Sequence, residues 1–77
     1  MQELVRREVI IQVLQEVLQE ITNNGISPRE KAFLFHQKGS LLGLIGQAEQ
    51  QKEAWLQAQI LAPDCRIIRV SLQSLEK

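Results

Sequence analysis

Apolar residues recur at helical spacing from the start of the chain. Ile10, Leu14, Val17 and Ile21 follow one another at steps of four, three and four, and Ile11, Val13 and Leu18 widen the stripe. Glu8, Gln12, Gln15, Glu16 and Gln19 fill the opposite side. This pattern predicts a helix over 3–23 with one buried face. Val5 and Val9 lie off the stripe and point to a second contact near the N-terminus. The run Asn23-Asn24-Gly25 predicts the stop, because Gly and Asn tolerate the left-handed backbone that satisfies the last carbonyls.

The next start signal is stronger. Ser27, Pro28 and Glu30 stand where a capping box places its cap, its first helical residue and its reciprocal acid. A helix is predicted from 28 to 45, with Ala32, Phe35, Leu42 and Ile45 apolar. Gly39, Gly43 and Gly46 interrupt it, and each costs about 1 kcal/mol relative to Ala inside a helix. Gly39 and Gly43 sit one turn apart and allow another backbone to come close. Gly46 reads as a turn. A further helix fits 48–61, with Trp55, Ala58 and Ala62 on one stripe, and it ends before Pro63, since a residue preceding Pro avoids the helical region. Residues 65–75 are ambiguous. Ile67, Ile68 and Val70 favour a strand by propensity, whereas Ile68, Leu72 and Leu75 fit a helix by spacing, with Asp64 as its cap. A lone strand would lack a partner, so helix is favoured.

Composition narrows this to an all-α chain. There are 77 residues, 44% hydrophobic and 23% charged, rich in straight-chain helix formers. That length makes one domain over 1–77 and leaves a thin stability margin. One Cys and one His supply neither an internal disulfide nor a structural zinc site, so no metal or other cofactor is expected. Association with a partner or with a second copy is the remaining remedy. Nine basic and nine acidic residues balance, which argues against nucleic acid as the main ligand. No stretch approaches the roughly 20 apolar residues that span a membrane, and charges at Glu3, Arg6, Arg7 and Glu8 break any leader-like core. The expected setting is cytoplasmic, without membrane insertion.

Between 32 and 65 the spacing becomes specific. Phe35, Lys38, Gly39 and Leu42, then Gly46, Gln51, Trp55, Ala58 and Pro63, fall without insertion or deletion on the positions of a tetratricopeptide repeat. The segment resembles that family. The resemblance implies an antiparallel helical hairpin over 32–65, flanked by the helix at 3–23 and by a capping helix over 66–77. Lys38 replaces the family's usual Leu, and Gln51 its usual small residue. The large Gln51 is expected either to push the two helices apart or to sit at an exposed edge.

The same resemblance implies a groove. It places His36 on the concave side with Phe33, Ser40, Gly43 and Leu44 nearby, and these five are the candidate partner-binding residues. The family's carboxylate clamp uses Lys and Asn, where this chain offers His36, Gln37 and Ser40, so a clamp is not implied. His36 alternatively reads as a half-exposed helix residue without a groove role. Gly43 reads either as a packing glycine or as part of an open groove, and the register favours the groove. Cys65 reads as a small packing residue or as a thiol made reactive by a helix start. No nucleophile–base–acid set is visible, so no catalytic residues are assigned. The expected function is protein–protein interaction, as an adaptor, assembly factor or chaperone subunit that docks a partner helix or peptide. Self-association without a foreign ligand is the alternative.

Overall fold

The computed structural model describes residues 2–23 and 25–75. Four helices follow in order: α1 (Gln2–Ile21), α2 (Pro28–Leu44), α3 (Ala48–Leu61) and α4 (Arg66–Ser74). The described residues contain no strand, and the chain is all-α. The β-branched run in α4 yields to the helical spacing of Ile68 and Leu72, as expected where no neighbouring strand offers a ladder.

The helix boundaries follow the local chemistry. α1 ends two residues short of the expected stop. The Gly25 N–H donates to Asn23 Oδ1 at 2.9 Å, and Asn24 lies outside the described residues. α2 starts at the capping box: Ser27 Oγ accepts from the Glu30 N–H at 3.2 Å and donates to Glu30 Oε1 at 3.2 Å. Its end is a Schellman turn. The Gln47 N–H reaches the Leu42 carbonyl at 2.9 Å and the Gly46 N–H reaches Gly43 at 3.2 Å, with Gly46 at φ +83°. Only a residue without Cβ takes that angle freely. The expected cap for α4 is replaced: Cys65 holds the N-cap position without a side-chain cap bond, and Asp64 pairs instead with Arg29 at 3.3 Å.

Each helix packs mainly on its neighbour in sequence, α1 on α2, α2 on α3 and α3 on α4. The α2–α3 pair is the tightest. Gly39 faces Trp55 and Gly43 faces Gln51, so position numbers rise on one helix as they fall on the other. The pair is therefore antiparallel. Ala32, Ala58, Ala62 and Ile68 form one core where α2, α3 and α4 meet, with Phe35, Leu61, Cys65 and Leu72 packed on it. Small residues at the centre let three backbones converge, and Cys65 serves this packing. α1 leans on α2 through Val17 and Ile21, both buried. Of the two residues expected to make a second contact, Val9 is exposed and the side chain of Val5 lies outside those described.

Candidate functional site

The α2–α3 contact is built around Trp55. Its indole lies across α2 at Gly39, where an added Cβ would come within 2.5 Å of Nε1 and 3.0 Å of the Gln51 carbonyl oxygen. The missing side chain lets Trp55 Nε1 donate to the His36 carbonyl at 2.9 Å. Ser40 Oγ donates to the same carbonyl at 3.1 Å.

His36 does not point into an open groove. Its ring stacks on the Trp55 indole, centroids 5.4 Å apart and planes 15° from parallel. Its Nε2 shares a 2.8 Å hydrogen bond with Ser71 Oγ, the direction set by the imidazole tautomer. Burial pushes the imidazole below its ordinary value near 6.5, because a low-dielectric site disfavours the charged form. His36 is thus a tie between α2 and α4. A Ser–His contact of this kind resembles half of a nucleophilic pair. Among the described residues no carboxylate bonds the imidazole, which the full constellation uses to orient the ring.

Gly43 is also not part of an open groove, which corrects the expectation from the register. A Cβ there would run into the Gln51 side chain, whose amide lies directly over the glycine. The large Gln51 on α3 and the missing side chain of Gly43 on α2 compensate each other. Gln51 neither splays the helices nor sits at an exposed edge; it is half-buried on the gap that Gly43 leaves.

What remains open on α2 is narrower than the expected set. Phe33, Gln37, Ser40 and Leu44 recur at steps of four, three and four and so share one side of the helix. Phe33 is 62% exposed and Leu44 71%; Gln37 is exposed and Ser40 half-buried. The strip is about 16 Å long at the rise of an α-helix and carries no formal charge. At its Phe33 end, Phe33, His36, Cys65, Ile67 and Ile68 line a shallow notch of about 10 Å³. That volume holds one water at most, enough to seat a methyl or ring edge and too small for a metabolite.

Sequence reasoning missed Ser71, Gln51 as the cover of Gly43, and Ile67 as the wall beside Phe33. The first two pairings span elements and leave no local trace. Ile67 was detectable, because a β-branched residue next to buried Ile68 on a helix must face elsewhere. In comparisons with known proteins, no family model, no curated protein and no solved structure matches the chain. Among the described residues, no helix is long and apolar enough to cross a membrane.

Proposed function

We propose that the chain is a non-catalytic protein-interaction module, a small cytoplasmic adaptor or assembly subunit whose ligand docks along the open strip of α2. The observation that carries this reading is the exposure of Phe33 and Leu44 at the two ends of an uncharged strip. A helix or extended peptide with two apolar anchors about 16 Å apart fits that spacing, and helix-in-groove and related modes use such anchors. The polar middle, Gln37 and Ser40, offers hydrogen bonds that fix orientation. The Ile67 wall and the notch beside Phe33 favour that end as the stronger anchor. The tetratricopeptide register from Phe35 to Pro63 agrees with this placement, since its first helix carries the ligand-facing side.

Selection of peptides from a displayed library tests the reading. Selected peptides should bind Phe33→Gln or Leu44→Gln at least about tenfold more weakly, a loss of about 1.4 kcal/mol per site. They should be indifferent to Leu56→Gln and Ile60→Gln, which alter exposed apolar residues of α3. Peptides that bind all four variants equally would refute it.

A further inference from the structure

The series of helices has two ends, and their charges are complementary. Among the described residues α1 packs chiefly on α2, and α4 packs on α3 and, through Ile68 and Ser71, on α2. On α4 the side turned from Ile68 and Leu72 carries Arg66, Val70 and Gln73, all exposed, with Arg69 and Ile67 flanking. Val70 is 54% exposed. The described residues of α4 include no acid. On α1, Val9, Val13, Glu16 and Glu20 recur at steps of four, three and four. Val9 is 51% exposed, Val13 is half-buried, and both acids are exposed. Arg6 precedes Val9 by one turn; the half of the stripe toward the end of α1 is purely acidic.

Both sets of charges oppose their own helix. α4 opens with Arg66 and has no acid in its first turn, although a helix start favours anions. α1 closes with Glu16 and Glu20 and has no base in its last turn, although a helix end favours cations. Among the described residues, none of Glu16, Glu20, Arg66 or Arg69 makes an ion pair; the pair found there joins Arg29 to Asp64. Misplaced charges of opposite sign at the start of one helix and the end of another are relieved together when the two helices pack antiparallel.

We propose that copies of this chain associate end to end, the outer side of α4 on one copy packing antiparallel against the Val9–Glu20 side of α1 on the next. Arg66 and Arg69 then lie beside Glu16 and Glu20, and Val70 beside the valines of α1. The contact extends the existing order, in which each helix packs on the one before it, and covers the exposed Val9 and Val70. Its two surfaces differ, so it grows into chains or closes as a ring. It leaves the Phe33–Leu44 strip uncovered and does not depend on the function proposed for it.

Light scattering on the full chain tests this. The mass should rise with protein concentration and fall between about 0.05 M and about 0.5 M salt, as screening shortens. Glu16→Lys with Glu20→Lys, and Arg66→Glu with Arg69→Glu, should each weaken association at least about tenfold. An equimolar mixture of the two reversed variants should regain it, because both contacts between unlike copies then bring opposite charges together. A single-chain mass at every concentration, variants that associate as the parent does, or a mixture that stays dissociated would each overturn the proposal.

Discussion

At the scale of single residues, two glycines one turn apart do different work. Gly39 lies under a rigid indole and a backbone carbonyl. Gly39→Ala gains about 1 kcal/mol of helix propensity but forces Trp55 off its bond to His36. A net destabilisation of about 1–3 kcal/mol is expected, measured by urea unfolding. Gly43 lies under the free end of Gln51, which swings aside at little cost. Gly43→Ala should therefore fall within about 0.5 kcal/mol of the parent. Equal losses at the two sites would contradict the packing described for Trp55 and Gln51. His36 adds a pH dependence of known sign. Its folded value lies below the unfolded one near 6.5, so the unfolded chain binds more protons as pH falls. The stability this contributes is whole above the unfolded value and is lost as pH drops through the folded one. The melting temperature should fall between about pH 7.5 and about pH 5, by less in His36→Gln. An identical fall in both chains would show that His36 is not the group responsible.

At the scale of the helices, punctuation was more legible than packing. Ser27, Pro28 and Glu30 announced the start of α2, Gly46 its end, and Pro63 the end of α3, because each acts on the backbone within one turn. One local reading failed where a tertiary bond intervened: Asp64 was drawn to Arg29, leaving Cys65 at the cap. The sides of α2 were legible only in part. Phe33 and Leu44 are exposed, whereas His36 and Gly43 are half-buried against Ser71, Trp55 and Gln51, residues far away in sequence. The capping box offers a check at this scale. Ser27→Ala removes the acceptor for the Glu30 N–H and should cost about 1 kcal/mol. Amide exchange should quicken in the first turn of α2 before it does in the middle. Unchanged stability would mean that water serves that N–H equally well.

At the scale of the whole molecule, the chain forms a slab of 41 × 35 × 16 Å. Its short dimension is little more than one helix across. Such a body has no deep interior. The buried apolar set is four alanines with Val17, Ile21, Leu42, Trp55 and Ile68, and stability at this size is marginal. In that setting, exposed apolar side chains that stabilise nothing within the chain stand out as candidates for contact with something else. Phe33 and Leu44 are the central case. The most direct measurement is the melting temperature of the Phe33→Gln, Leu44→Gln double variant, taken beside its affinity for a peptide selected on the parent chain. A melting temperature within about 4 °C of the parent is expected, which is about 1 kcal/mol or less at this length. Affinity should fall more than about a hundredfold, the sum of two anchors. A melting temperature lower by much more than that, or an affinity left intact, would show that these side chains serve the fold and that the α2 strip is not a docking site.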